Sequence, residues 1–303
     1  IPAILAITLA VSIAWSCSDR PPGEQPPASP DRVVDLEHRF AAAVAERGVR
    51  QGFLEFAASD GVLFRPKAVS AREFLEPLPD RPGLLSWHPV LAAQAASGEL
   101  GYTTGPWSFR AAPEAQPVGF GHYVTVWHRT ADGRWGFAID HGISHAEPSQ
   151  TEAALVAESQ AADADEDSGA AQPGAAATVL EALRVRDDAY SAALAADAER
   201  ALREFAHETV RLYREEHFPA TGRAAAASLL AGLPRVGRGT TAFADAAASA
   251  DLGYTYGYLP DPNEPGRDAY VYLRLWQRTA GDWMVSLDVT TPIPPATSAG
   301  GGQ

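Results

Sequence analysis

One cysteine, Cys17, stands in the 303 residues. An internal disulfide is therefore excluded, and so is a zinc site built on paired cysteines. Positive charge is scarce as well: 24 Lys and Arg face 38 Asp and Glu, for a formal net charge of −14. A surface this acidic repels phosphate backbones, so no nucleic-acid partner is expected. The chain has no Gly-rich phosphate loop, no dinucleotide fingerprint and no Gly-x-Ser-x-Gly elbow, and no cofactor is expected. The apolar run at the start, Ile1 to Ala14, is shorter than the roughly 20 residues that cross a bilayer.

That run has the length of the apolar segment of an export signal. It leads into Ala14-Trp15-Ser16-Cys17, which resembles the bacterial lipobox, where a cysteine after a small residue is lipidated. The resemblance implies a signal peptide over 1–17, lipidation at Cys17, and an exported, membrane-anchored lipoprotein facing the periplasm or the cell surface. A cysteine-nucleophile hydrolase is excluded, because Cys17 belongs to this leader. Residues 18–30 are Pro-rich and read as a polar spacer.

The remainder contains a duplication. Residues 96–105 read ASGELGYTTG and residues 248–257 read ASADLGYTYG, with seven of ten positions identical. Further on, Trp127 to Trp135 matches Trp276 to Trp283 with one residue deleted, and five residues later each copy has an aspartate, Asp140 and Asp288. Each copy opens on helical sequence: Asp35 to Arg47, with Leu36, Phe40, Ala43 and Val44 on one stripe, and Val179 to Phe205, with Leu183, Tyr190, Leu194, Leu202 and Phe205. Short strands follow at Val62 to Phe64 and Val210 to Tyr213. Each copy closes on three longer β segments: Leu100 to Phe109, His122 to Arg129 and Arg134 to Gly142 in the first, and Leu252 to Leu259, Ala269 to Arg278 and Trp283 to Thr290 in the second. Between the copies, 146–177 has seven Asp or Glu and no Lys or Arg and reads as a disordered acidic linker. The expected organisation is a first domain over 31–145, the linker, a second domain over 178–292 and a disordered tail over 293–303. Helices followed by antiparallel strands indicate an α+β fold.

The residues Leu100-Gly101-Tyr102-Thr103, Tyr123, Trp127, Arg129, Gly133, Trp135 and Asp140, repeated as Leu252-Gly253-Tyr254-Thr255, Tyr272, Trp276, Arg278, Gly281, Trp283 and Asp288, resemble the SnoaL-like branch of the nuclear transport factor 2-like superfamily. The resemblance covers about two-thirds of the chain. It implies two cone-shaped domains, each a curved, mostly antiparallel sheet wrapped around N-terminal helices, with a pocket at the open end. The superfamily includes ketosteroid isomerases, polyketide cyclases and dehydratases as well as binding modules, so the fold leaves function open.

Asp140 is the candidate base, with His122 as a possible companion. Strand alternation places Trp135, Phe137 and Ile139 on one face and Asp140 on the other, among small residues. Trp87, Tyr102, Tyr123 and Trp127 in the first copy, and Tyr254, Tyr256, Tyr272 and Asp288 in the second, are candidates for lining an apolar ligand pocket; packing of sheet on helix is the competing role. Six of the eight histidines lie in the first copy, and Val271, Gln277 and Val289 replace His122, His128 and His141 in the second. His141 and His145 are spaced too far apart along a strand to share a metal, and no metal site is expected. The leading expectation is a lipoprotein whose cones bind a small apolar molecule without clear catalytic machinery. One alternative is a lyase or isomerase acting through Asp140, and another is a protein-interaction module. The two copies are further expected to pack sheet against sheet as an internal pseudo-dimer.

Overall fold

The computed structural model describes residues 32–130, 132–149, 152, 157–160 and 175–295. The expected signal peptide, Cys17, the Pro-rich spacer and residues 296–303 of the tail lie outside the described residues.

The first half begins with α1 (Val33–Arg47). Its buried stripe contains Val33, Leu36, Phe40 and Val44 at helical spacing, and a buried carboxylate, Glu37, sits within it. Gly48 ends the helix at φ 84, a backbone state that costs glycine nothing. Helix α2 (Val49–Phe56) then runs directly into strand β1 (Ala57–Phe64). After β2 (Ala68–Ser70), the Ser70 hydroxyl caps α3 (Ala71–Leu75), accepting from the Glu73 N–H at 3.3 Å. Strands β3 (Leu84–Trp87) and β4 (Leu91–Gln94) both pair with β5 (Leu100–Arg110). They are two strands rather than one because Pro89 between them has no N–H for the ladder. Strands β6 (Pro117–Arg129) and β7 (Trp135–His145) complete the long hairpin, and β1 joins β7 in parallel.

The second half repeats this plan. Helices α4 (Ala175–Ala196) and α5 (Ala198–Phe205) are separated at Asp197, whose carboxylate caps α5 by accepting from the Arg200 N–H at 3.0 Å. The expected single helical stretch is thus two helices. Strand β9 (Ala206–Arg214), β10 (Ala220–Thr221), α6 (Arg223–Ala231), β11 (Thr240–Ala246), β12 (Leu252–Asp261), β13 (Glu264–Thr279) and β14 (Asp282–Pro292) follow. The sheet order is β10-β9-β14-β13-β12-β11, with β9 parallel to β14. The first sheet has the matching order β2-β1-β7-β6-β5-β4. Both halves are therefore α+β units of helices against a mostly antiparallel sheet, as the sequence resemblance implies.

Of the segment expected as a linker, residues 150–151, 153–156 and 161–174 lie outside the described residues. Residues 157–160 form a strand, β8, that pairs in parallel with β4, and α4 begins at Ala175. The free edge of β4 offers unpaired backbone groups, and a segment with little core of its own can still satisfy them.

Each half has its own apolar core between helices and sheet, around Phe40, Trp127 and Phe137 in the first and around Tyr190, Trp276 and Val285 in the second. A third cluster draws on the opposite faces of both sheets: Tyr102, Val124, Val126 and Ile139 from one half and Tyr254, Leu273, Leu275 and Leu287 from the other. Among the described residues no helix is long and apolar enough to cross a membrane.

Candidate functional site

Asp140 takes its position from an irregularity in β7. Val126 pairs with Ile139, but the next residue, Trp127, pairs with Phe137, so Ala138 is an extra residue in the strand. Such a bulge reverses the alternation of faces beyond it. Phe137 and Asp140 therefore share the inner face, while Ile139 joins the cluster between the sheets. This corrects the simple alternation, which set Asp140 opposite Phe137. In β14 the same irregularity falls at Ser286, between the pairs Leu275–Leu287 and Trp276–Val285, and it turns Asp288 inward in the same way.

Asp140 lines a cavity of about 260 Å³ together with Phe53, Arg65, Trp87, Trp107 and Tyr123. The Thr125 hydroxyl donates to Asp140 Oδ2 at 3.1 Å. Burial pushes the Asp140 carboxyl up to about 7, and the negative charge of Glu37 adds to this; the Arg65 guanidinium and the Thr125 bond only partly oppose it. Beside it, the Tyr123 hydroxyl is buried and has no hydrogen-bond partner among the described residues. Burial, then the charge of Glu37, holds this phenol well above its usual range, so it keeps its proton.

Glu37 lies under the cavity. It accepts from Trp87 Nε1 at 2.5 Å, from Trp127 Nε1 at 3.0 Å and from the Thr103 hydroxyl. Burial raises its carboxyl, against the pull of these donors. The sequence carries a signal for Glu37: an acid three residues before the stripe aromatic, in both copies. The pairs are Glu37 with Phe40 and Asp187 with Tyr190, and both acids are fully buried.

The second half places arginine where the first has threonine. Arg274 occupies the site matching Thr125, because Arg274 pairs with Asp288 across β13 and β14 as Thr125 pairs with Asp140. Asp288 is fully buried. It accepts from Arg214 Nη1 at 2.9 Å, from Thr290 Oγ1 at 2.9 Å and from Arg274 Nε at 3.4 Å. Burial alone would raise its carboxyl, but Arg214 and Arg274 more than offset this and hold it below its ordinary value. The same aspartate is thus a locked anion in one half and a carboxyl titrating near neutrality in the other.

Of the remaining candidates, Trp87 and Tyr123 line the first cavity, and the others have different surroundings. Tyr102 is buried between the sheets, its hydroxyl 3.5 Å from Ser286 Oγ. Trp127 is a core residue bound to Glu37. Tyr254 and Tyr256 pack on Phe243, with ring centroids 5.8 and 5.3 Å away. Tyr272 donates to Asp187 Oδ2 at 2.5 Å and is fully buried. Period-two alternation explains Tyr102, Tyr254 and Tyr256, which point away from the helices into the inter-sheet cluster, whereas Trp127 and Tyr272 point inward and are taken up by the buried acids Glu37 and Asp187.

His122 is likewise separate from Asp140. On β6 it alternates with Thr125 and points to the opposite face. Its Nδ1 lies 2.8 Å from His145 Nε2 and its Nε2 lies 3.0 Å from Glu152 Oε2. Burial lowers its pKa, while Glu152 opposes the shift. The pairing of His122 with Asp140 considered from sequence is therefore not formed. Glu152, from the segment read as linker, is a partner that the sequence did not announce. Among the described residues no cluster of histidine, cysteine and acid side chains is arranged to hold a metal.

No family model matches the sequence, and no curated protein does. Among solved structures, the chain is similar to a ketosteroid isomerase-like protein from Erwinia carotovora atroseptica: 17% identity, 38% of this chain and 97% of that one, TM-score 0.33. It is also similar to a nuclear transport factor 2-like protein with a cystatin-like fold from Novosphingobium aromaticivorans: 17% identity, 43% and 96% of the two chains, TM-score 0.32. A nuclear transport factor 2-like protein of unknown function from Pseudomonas putida matches at 10% identity over 40% and 90% of the two chains, TM-score 0.33. Each of these chains is spanned almost completely by less than half of this one.

Proposed function

We propose that the first half is a proton-transfer site for a small, mostly apolar carbonyl compound, working as an isomerase or lyase with Asp140 as the base. One observation carries this reading: a carboxyl titrating near 7 and a phenol with an unpartnered hydroxyl line the same cavity. A general base works best when its pKa lies near the working pH. The ionised Asp140 takes a proton from the carbon next to the carbonyl, and the electron pair moves onto the carbonyl oxygen. Tyr123 donates a hydrogen bond to that oxygen. The protonated Asp140 then returns the proton to another carbon, or to a leaving group. Trp87, Trp107 and Phe53 supply the apolar wall.

Ligand binding without turnover is the reading this proposal competes with. The test uses a panel of cyclic and aryl ketones in deuterated water, with exchange of the protons beside the carbonyl followed by NMR. Wild-type protein exchanges them, and Asp140→Asn slows exchange by about 10²–10⁴-fold while native mass spectrometry still detects the bound ketone. Exchange in Asp140→Asn as fast as in wild type rules out the base. Ketones bound without any exchange return the site to a binding role.

The proposal also includes export and anchoring through a lipidated Cys17, supported by the lipobox-like Ala14-Trp15-Ser16-Cys17. Labelling with a palmitate analogue, lost in Cys17→Ala, tests it. Finally, we propose that the halves act as an internal pseudo-dimer, which reciprocal contacts between matching residues support.

A further inference from the structure

The second half contains a cavity of its own, of about 500 Å³, within the range of small-molecule sites. Its walls include Leu194, Leu230, Leu233 and Leu259, and its floor includes Arg214 and Arg274. Arg274 is fully buried. Two of its guanidinium nitrogens are used: Nη1 donates to Asp187 Oδ1 and Ser191 Oγ, both at 2.7 Å, and Nε donates to Asp288 Oδ2 at 3.4 Å. The third, Nη2, is buried with no partner. Tyr272 and Tyr190 hold the guanidinium from its faces, with Cζ 3.8 and 4.6 Å from their ring centroids, so the group is fixed in place. A buried cationic donor left unsatisfied is costly and calls for an acceptor.

The charge around the cavity selects the acceptor. Arg214 and Arg274 are balanced by Asp187 and Asp288. Glu215 and Glu216, also in the lining, add negative charge and Arg235 adds positive. The surroundings are neutral to slightly negative, which disfavours a carboxylate ligand and favours a neutral oxygen.

We propose that the second half binds a small apolar molecule through a neutral carbonyl oxygen accepting from Arg274 Nη2. The site binds and does not transform its ligand, because Asp288, held by two arginines, is a poor base. The proposal stands on this cavity alone and is independent of any chemistry at Asp140.

The probe is prodan, a neutral aryl ketone whose emission reports hydrogen bonding at its carbonyl, titrated into the full chain. Leu233→Trp plugs the mouth of this cavity without touching the arginine network, and Ser144→Trp plugs the first cavity. Prodan affinity is expected to fall at least tenfold in Leu233→Trp and to be retained in Ser144→Trp. In Arg274→Lys, with folding checked by thermal melting, the emission of bound prodan is expected to shift to the blue. Unchanged binding in Leu233→Trp, or binding lost only in Ser144→Trp, overturns the site. Tighter binding of 2-naphthoate than of prodan overturns the neutral acceptor. Should Arg274→Lys not fold, the Leu233→Trp and naphthoate comparisons decide alone.

Discussion

Ser97 and Ser249, which occupy the same position in the two copies, bind each other reciprocally. The Ser97 N–H donates to Ser249 Oγ at 3.2 Å, the Ser249 N–H donates to Ser97 Oγ at 3.1 Å, and the two hydroxyl oxygens are 2.7 Å apart. Their neighbours repeat the exchange: Asp251 accepts from the Ala96 N–H at 2.8 Å and Glu99 from the Ala248 N–H at 2.6 Å. Contacts in which residue i meets j and j meets i are what a two-fold dimer makes, and here one chain makes them with itself.

A first prediction follows from the difference in burial along this seam. Asp251 is 2% exposed, whereas the hydrogen bond between the two serine hydroxyls is exposed. Asp251→Ala leaves the Ala96 N–H and the Ser249 hydroxyl without their acceptor and is expected to cost about 1–3 kcal/mol. Ser97→Ala is expected to stay within about 0.5 kcal/mol of wild type, since water replaces the lost partner. Urea denaturation of both variants checks the contrast.

Much of this architecture is legible in the sequence. The stripe Leu36, Phe40, Val44 and the paired motifs around Tyr102 and Tyr254 specify helices, strands and duplication, because those patterns are local. The facing of Asp140 is not local. It depends on the extra residue Ala138, which is extra only relative to the pairing of β6 with β7. The role of Glu152 is similarly hidden, since an acid in an acidic segment has no sequence mark that it will reach His122. The arginine of the second half was more accessible: Arg274 interrupts the run Val271 to Trp276 at an inward position, where only a paired charge is tolerated.

A second prediction concerns pH. Asp140 titrates near 7 in the folded protein, against an ordinary 3.8. Below pH 4 it is protonated in both folded and unfolded states and costs nothing. As pH rises from about 4 towards 7 the unfolded chain ionises first, and folding pays for keeping the group neutral. Stability from this group is therefore present at low pH and lost as pH rises, by about 1.4 kcal/mol per unit within that window. Asp140→Asn removes the dependence, so its stability relative to wild type is expected to improve between pH 4 and pH 7. Thermal melts of both proteins across that range measure it, and a difference that stays flat with pH contradicts it.

A third prediction separates the two halves. Arg274→Met removes the guanidinium that bridges Asp187 and Asp288 and leaves Arg214, paired with Asp288, as the remaining cation of this buried network. Breaking a buried pair from one side costs about 3–5 kcal/mol, so this variant is expected to melt far below wild type. Thr125→Val, at the matching position of the first half, removes a single neutral hydroxyl at 3.1 Å from Asp140 and is expected to cost about 1–2 kcal/mol. Comparable losses for the two substitutions in calorimetry would contradict the asymmetry between a locked and a free carboxylate.

The last prediction tests the electrostatic coupling beneath the first cavity. The charge of Glu37 is second only to burial in raising Asp140, and it also raises the Tyr123 phenol. Glu37→Gln removes that charge while retaining an amide oxygen that can still accept from an indole N–H. Asp140 then ionises at lower pH. Its titration, followed by carbon-13 NMR of labelled aspartate side chains, is expected to have a midpoint below 7 in this variant, and the rise of any ketone-exchange activity with pH is expected to move with it. A midpoint that does not move would mean that Glu37 is already protonated at that pH. Burial alone would then hold Asp140 near neutrality, and Glu37 would serve the cone as a protonated hydrogen-bonding hub.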